Sequence, residues 1–194
     1  MGCTAAGLDT VAALKRQITL RLSPGRRRHS FAVAEMARTM CLSAGLDPGL
    51  GYLAGLAHDL AREMKTADCL RLAGSRRACS ELELEYPVLT HGRAAAALLK
   101  TELGLENADI LQAVEDHVTG RPGMQTLSRI VFAADALEPG RETITPGLYH
   151  RAGKLALDQQ VLLVLERTFA WLRAEQRPIA PASLELYKEL TEHA

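Results

Sequence analysis

One run of the chain, residues 50–61, reads Leu50-Gly51-Tyr52-Leu53-Ala54-Gly55-Leu56-Ala57-His58-Asp59-Leu60-Ala61. Asp47-Pro48 stands just before it, and Asp followed by Pro is typical of a helix start, because the carboxylate caps the first turn and proline needs no partner there. We therefore predict a helix from this pair through Leu60. A helix that is apolar nearly all round is buried, so this helix should lie at the centre of the fold.

The rest of the chain repeats these helix signals. Ser23-Pro24 predicts another helix start, and Gly45 a stop. Segment 62–86 should hold short helices around polar turns, and a last helix should cover about 183–192. Further helices are predicted near 87–103, 107–118, 124–137, 146–157 and 158–176. Ala and Leu dominate and aromatic residues make up only 4%, so we predict an all-α fold.

Size and composition limit the domain count and the partners. A chain of 194 residues fits one domain, 1–194, because a domain usually takes about 100–200 residues. The 47% hydrophobic share excludes a disordered chain. Lys plus Arg and Asp plus Glu both number 23, and zero net charge argues against a nucleic-acid partner. No run approaches the roughly 18 apolar residues of a membrane span, so no membrane partner is expected.

The cysteines and the first residues favour a cytoplasmic protein. Cys3, Cys41, Cys69 and Cys79 form no Cys-x-x-Cys pair, which disfavours a thiolate zinc site or a redox motif. The first ten residues lack the basic region of a secretory signal. We therefore expect the cytoplasm as the compartment, with the cysteines as small buried hydrophobic residues.

Six polar residues stand where the pattern predicts burial. His58 and Asp59 interrupt the apolar run quoted above, and the others extend, begin or end apolar helices: His29, His91, His117 and Asp135. Taken alone, a buried His is more often a hydrogen-bonded core residue than a metal ligand, and a buried Asp often caps a helix or pairs with Arg. Two carboxylates and four imidazoles are costly to desolvate apart, however, and one divalent cation would satisfy them together.

The ligand types narrow the choice of metal and suggest a reaction. Imidazole and carboxylate without thiolate suit iron, manganese, zinc, cobalt or nickel. Adjacent side chains on a helix diverge by about 100°, so His58 and Asp59 can approach one ion from two sides. Asp59 could also bridge to a second ion, and two ions about 3.5–4 Å apart would form a clamp for hydrolysing phosphate esters or anhydrides with a metal-activated water.

The order of these residues resembles the HD-domain phosphohydrolase superfamily, whose members carry a helical His, then His-Asp, then a later Asp. His29, His58-Asp59 and Asp135 match that order. The chain resembles most closely the YqeK-like family of symmetrical bis(5′-nucleosyl)-tetraphosphatases, over roughly residues 20–175. The resemblance rests on Leu22–Ser30, Leu53–Asp59, Thr90–Gly92, His117-Val118-Thr119-Gly120-Arg121-Pro122-Gly123-Met124 and Asp135-Ala136-Leu137-Glu138-Pro139-Gly140-Arg141.

The resemblance implies a single compact helical HD domain with its metal site at the centre. It implies an iron-dependent hydrolase, with one or two ions, that cleaves diadenosine tetraphosphate symmetrically into two ADP. The residues implied to hold the main ion are His29, His58, Asp59 and Asp135. His91 and His117 would either hold a second ion or contact substrate phosphate, and both roles stay open.

Substrate phosphates need cationic and hydrogen-bonding partners beside the metal. Arg62 and Arg121 are the first candidates, Thr119 and Gly120 could add hydrogen bonds, and Arg26 is a weaker candidate. A surface ion pair is the commoner role of any single Arg. Arg62 stands where the family commonly has Lys, so it offers a planar fork in place of a point charge. That departure affects the substrate preference more than the reaction type.

Two other functions remain open. The first is an HD-type nucleotide phosphatase of different specificity, such as a monophosphate nucleotidase. The second is a non-catalytic nucleotide-binding module, which the six filled ligand positions disfavour. In each case the partner is a nucleotide. Part of the apolar stripe along residues 155–172 is available for a homodimer interface, although core packing is its commoner use.

Overall fold

The computed structural model describes residues 5–192, with side chains from residue 10 onward, and this described part contains helices and no β-strand. The predicted all-α fold class is thereby confirmed. Cys3 and His193 lie outside the described residues. A 3₁₀ helix covers Pro87–Thr90. The α-helices, in chain order, are α1 Ala5–Arg21, α2 Pro24–Ser43, α3 Pro48–Ala57, α4 Thr66–Gly74, α5 Glu81–Glu85, α6 His91–Leu103, α7 Ala108–Asp116, α8 Thr126–Leu137, α9 Pro146–Ala152, α10 Leu157–Ala174 and α11 Pro181–Glu192.

Two predicted helix starts are confirmed by their capping hydrogen bonds. The Ser23 hydroxyl accepts a hydrogen bond from the Arg26 backbone N–H at the start of α2. The Asp47 carboxylate accepts one from the Gly49 N–H at 2.8 Å at the start of α3. Gly45 follows the end of α2 with φ +72°, the left-handed conformation that commonly ends a helix.

Two parts of the secondary structure differ from the prediction. α3 ends at Ala57 and not at Leu60, because the Leu60 N–H donates three residues back to the Ala57 carbonyl. His58 therefore occupies the end of the helix, and Asp59 lies in the turn that follows. α1 was not predicted, and it buries Leu14 and Ile18 completely.

The centre of the fold is the predicted apolar helix α3, which packs directly on α2. A Cβ added at Gly51 would stand 2.5 Å from the Ala37 carbonyl oxygen, and one added at Gly55 would stand 2.9 Å from the Ala34 Cα. Such distances are possible only without a side chain, so these glycines let the two helix backbones touch. The close contact brings the N-terminal half of α2 beside the end of α3.

Two hydrophobic clusters share the core. The first is formed mainly by α1–α4, α6 and α7, and the second by α9–α11, while α8 contributes to both. Most of the apolar stripe at 155–172 packs in the second cluster, so core packing accounts for much of it. None of the described helices is both long enough and apolar enough to cross a membrane.

Candidate metal centre

Six residues meet at one point of the helical fold, and we call them the His/Asp centre. His29 lies in the first half of α2, and Asp135 in the last turn of α8. The other members stand at helix ends: His58 and Asp59 after α3, His91 at the start of α6 and His117 at the end of α7. Four of the six are at most 7% exposed. Helix ends thus place most of these polar side chains, where the chain direction changes.

Backbone carbonyls fix the orientation of three of the imidazole rings. Each ring donates its Nδ1–H to the carbonyl three residues earlier, at 2.5–2.7 Å: His58 to Gly55, His91 to Val88 and His117 to Val114. A carbonyl oxygen only accepts, so the hydrogen of the neutral ring sits on Nδ1 and leaves a lone pair on Nε2. Hydrogen bonds of this kind commonly orient metal-binding histidines.

The Nε2 atoms of the four histidines face one another. The Nε2 atoms of His91 and His117 are 3.0 Å apart, and those of His29 and His58 are 3.3 Å apart. Neighbouring rings pack edge to face, with centroids 4.8–5.2 Å apart. Lone pairs this close repel each other unless a proton or a metal cation lies between them. The donor atoms of this centre therefore fit a bound metal ion.

Asp59 lies between the two pairs of histidines. Its Oδ1 is 3.1 Å from the Nε2 of His91 and 3.9 Å from that of His117. Its Oδ2 is 3.5 Å from the Nε2 of His58 and 3.8 Å from that of His29. The two oxygens of one carboxylate thus face two separate ligand groups, an arrangement that suits a bridge between two ions.

The charges of the centre favour a cation. Burial alone would lower the pKa of His58, but the carboxylates of Asp59 and Asp135 outweigh it and raise this pKa to about 10. The pKa values of both carboxyls lie well below their usual range: burial opposes this, but His58 outweighs it at Asp59, and His29 and His58 do so at Asp135. Burial, with His91 and His58, lowers the pKa of His117 to about 3, so this ring stays neutral and available as a ligand.

The turn after α8 holds Glu138 and Arg141, which contact members of the His/Asp centre and were not among the predicted site residues. The Glu138 carboxylate, only 2% exposed, accepts the Nδ1–H of His29 at 3.0 Å and the Gly140 N–H at 2.6 Å. Arg141 donates to both the side chain and the backbone carbonyl of Asp135. Both residues stand in the stretch Asp135–Arg141 that carries the resemblance, but a contact such as that of Glu138 with His29, 109 residues earlier, leaves no local signal.

Two of the predicted substrate-binding arginines lie next to the His/Asp centre in sequence or in space. Arg26 is half-buried and donates to the Asp59 Oδ2 at 2.8 Å. Arg62 follows Asp59 by one turn and is half-buried, and its guanidinium forms no hydrogen bond or ion pair with the residues that the structure describes. Both positions suit contact with an anion, and this role stays a prediction.

The other three predicted substrate-binding residues are engaged within their own turn. The Thr119 hydroxyl donates to the Gly120 carbonyl, and Arg121 donates to Asp116 at 2.9 Å and to the Pro122 carbonyl. The Gly120 N–H already donates to the Asp116 carbonyl at 2.8 Å. The backbone accounts for the glycine at position 120, because its φ of +64° lies in the left-handed region that favours glycine, and an added Cβ would also stand 2.6 Å from the Leu186 side chain. A contact of Thr119, Gly120 or Arg121 with substrate stays a prediction.

Comparison with known proteins places this arrangement in a family. Two curated bacterial proteins, both named symmetrical bis(5′-nucleosyl)-tetraphosphatase, are similar over most of the chain. The one from Halalkalibacterium halodurans is 29% identical over 169 residues, 87% of this chain and 90% of that protein. The one from Bacillus subtilis is 25% identical over 182 residues, 94% of this chain and 96% of that protein.

A solved structure and a family model agree on the fold. The structure, from Clostridium acetobutylicum, is described as a predicted HD superfamily hydrolase involved in NAD metabolism. It matches with a TM-score of 0.88 at 24% identity, and the match covers 95% of this chain and 98% of that one. The HD domain family model matches residues 26–140, which include all six residues of the His/Asp centre. The chain belongs to the HD domain family.

Proposed function

We propose that this protein is a metal-dependent hydrolase that cleaves diadenosine tetraphosphate symmetrically into two molecules of ADP. The observation that carries the proposal is the meeting of four Nε2 atoms around the shared carboxylate of Asp59. The names of the Halalkalibacterium halodurans and Bacillus subtilis relatives support the same substrate and the same regiochemistry.

The proposed ligand set follows from the atoms that face inward. His29, His58, Asp59 and Asp135 would hold the main ion. His91 and His117, which face the other oxygen of Asp59, would hold a second ion or contact substrate phosphate. Iron is the proposed native metal, with Mn, Co, Ni or Zn as substitutes, since nitrogen and carboxylate donors suit all of these. When bound, the metal supplies a water activated for attack at neutral pH and positive charge beside the phosphates.

The side chains around the metal ligands divide the remaining work. Arg62 and Arg26 bind the anionic oxygens of the polyphosphate and stabilise the charge that grows on them during attack. Arg26 can do so because its partner Asp59 would share its negative charge with the metal. Arg141 and Glu138 act on the proposed ligands: Arg141 holds Asp135 in place, and Glu138 holds His29 in place. Thr119 and Arg121 remain candidates for the far end of the phosphate chain.

The cellular setting is proposed on the same basis. The proposed compartment is the cytoplasm, which the cysteine pattern favours. No nucleic-acid partner is proposed, since the chain has no net positive charge. A homodimer stays a prediction for which the size of the complex in solution would be the test.

The direct test is turnover of diadenosine tetraphosphate by protein purified without oxygen and loaded with ferrous iron. Two ADP with no AMP or ATP is the expected product pattern, resolved by chromatography. AMP plus ATP would contradict the regiochemistry, and hydrolysis of nucleoside monophosphates alone would favour the nucleotidase. Asp59→Asn should abolish turnover, while Asp68→Asn, which alters an exposed carboxylate on α4, should leave it unchanged.

A further inference from the structure

A groove of about 720 Å³ runs beside the His/Asp centre, between α2 and the segment from α9 to α10. Its floor is formed by Met36, Met40 and Leu157, which are half-buried and pack against both hydrophobic clusters. The groove thus follows the seam between the two halves of the core. Its volume lies within the range of about 300–1,000 Å³ that is usual for small-molecule sites.

The groove begins next to the His/Asp centre. Along α2, its lining residues Ala32, Met36, Met40 and Ser43 follow His29 at intervals of three or four residues, so they lie on the same face of the helix as this predicted ligand. At the opposite wall, Pro139 directly follows Glu138, the carboxylate that holds His29. From Ala32 to Ala44 the groove extends along about 18 Å of helix, at about 1.5 Å per residue.

The two ends of this region differ in charge. The lining of the groove contains no Lys or Arg, whereas Arg26 and Arg141 contact the His/Asp centre and Arg62 follows Asp59 by three residues. A nucleotide has the same polarity, with anionic phosphates at one end and an uncharged, flat base at the other. Methionine side chains suit the faces of such a base, because they are polarisable and adapt their shape.

Along the rim of the groove, the polar atoms left for a ligand are mainly hydrogen-bond acceptors. Gln160 donates one amide N–H to the Leu155 carbonyl at 3.0 Å and keeps its Oε1 as an acceptor beside its second N–H. The hydroxyls of Thr39 and Ser43 donate to carbonyls within α2, so their lone pairs remain. The exposed Glu35 carboxylate adds two more acceptors beside Arg38. A ligand that donates from its edge, such as the exocyclic amino group of adenine, complements this rim.

We propose that this groove binds one adenosine of the substrate and prefers adenine to purines without an amino group. The assignment rests on the proposed function only in its choice of a nucleotide substrate. The base lies on Met36 and Met40, and its amino group donates to Gln160 or Glu35. The attached phosphates then reach the arginines and the His/Asp centre at the start of α2.

Binding of nucleoside diphosphates, measured by calorimetry, tests the groove without requiring turnover. Met40→Trp fills the floor two to three turns from His29 and should weaken ADP binding at least tenfold, while Met40→Leu, which keeps the volume, should change it less than threefold. IDP has a carbonyl where ADP has the amino group, so wild-type protein should bind it about tenfold more weakly. Thermal melting and metal content should be the same in all three proteins.

Equal ADP affinity in Met40→Trp and Met40→Leu would overturn the groove as the adenosine site. Equal affinity of the wild-type protein for ADP and IDP would overturn the proposed preference of the rim for a base with an amino group. These results are independent of the proposed reaction. A groove-dependent ADP affinity in a protein that does not hydrolyse diadenosine tetraphosphate would sustain the groove and contradict the proposed function. Hydrolysis of diadenosine tetraphosphate, combined with an ADP affinity that neither substitution changes, would contradict only the groove as the adenosine site.

Discussion

Two buried polar clusters of this molecule are built in opposite ways. In the first, which we call the Glu83 cluster, donors and acceptors match. The Glu83 carboxylate accepts from the Ser80 N–H at 2.8 Å and pairs with Arg77 at 3.0 Å and Arg93 at 2.8 Å. Arg93 is 5% exposed, and it also donates to the backbone carbonyls of Arg77 and Ala73. The cluster joins α4, α5 and α6 without needing any outside partner.

The His/Asp centre has an excess of acceptors. The Nδ1 donors of its histidines point outward, three to backbone carbonyls and the His29 donor to Glu138, so Nε2 lone pairs and carboxylate oxygens face the middle. Among the described residues, the arginines that pair with its carboxylates are Arg26 and Arg141, and both approach from the rim. The difference teaches that a balanced cluster stabilises the fold, whereas a cluster of acceptors requires a cation.

The largest effect should come from removing the central carboxylate. Asp59→Asn should eliminate tight metal binding and turnover together, because an amide oxygen does not carry the charge that two ligand groups share. Metal content by elemental analysis and activity on diadenosine tetraphosphate are the two readouts. Full activity in this variant would contradict the distinction between the two clusters, because the His/Asp centre would then need a cation no more than the Glu83 cluster does.

The next effect concerns stability and should be confined to the Glu83 cluster. Arg93→Met leaves Glu83 with fewer partners in a buried position and should cost about 3–5 kcal/mol in the free energy of unfolding. The matched control is Arg71→Met, which removes an exposed ion pair with Asp68 and should cost about 0–1 kcal/mol. Urea denaturation measures both. Metal content per folded molecule should stay unchanged, and its loss in Arg93→Met would contradict a purely structural cluster.

A smaller effect should follow from Glu138→Gln. The Gln side chain has the same shape as Glu and can still accept the His29 Nδ1–H, but it carries no negative charge. Loss of such a hydrogen-bonded partner of a metal ligand typically lowers the metal affinity about 10–100-fold. Gly140→Ala should act in the same direction, since a Cβ there would stand 2.8 Å from the Glu138 carboxylate. Competition with a chelator measures the affinity. Unchanged affinity in both variants would show that His29 needs no support from this turn.

The smallest effect is the pH dependence of the Glu83 cluster. Burial would raise the pKa of Glu83, but the Ser80 N–H, Arg77 and Arg93 outweigh it and lower this pKa. A lowered pKa contributes stability above the unfolded value of about 4.3, and this contribution disappears as the pH falls through the folded value. Glu83→Gln should therefore lose less stability than the wild-type protein between about pH 5 and pH 3. Glu85→Gln, exposed on the same helix, should follow the wild-type curve.

Much of the fold was predictable because its signals are local. Asp47-Pro48 and Ser23-Pro24 start helices in the structure as the sequence indicates, and the apolar run after Asp47 is the buried centre. The end of α3 was placed three residues too late, because apolar character continues through Leu60 while the hydrogen bonds do not. α1 was missed, although it buries Leu14 and Ile18 against the first hydrophobic cluster.

The candidate site was predictable in membership but not in geometry. The resemblance to HD domains brought the six histidines and aspartates together, and the structure places them within contact distance. The part played by Glu138 depends on a turn that folds back onto His29, 109 residues earlier in the sequence. The packing of Gly120 under Leu186 depends equally on tertiary contacts. The spacing of residues along a single sequence does not indicate such tertiary contacts.

The most direct test of the metal centre is anomalous diffraction from crystals grown with manganese or ferrous iron. Our account predicts a peak about 2.0–2.2 Å from the Nε2 atoms of His29 and His58 and from the carboxylates of Asp59 and Asp135. A second peak beside His91 and His117 would show that Asp59 bridges two ions. A metal bound elsewhere, or no peak in crystals of protein that hydrolyses diadenosine tetraphosphate, would contradict the account.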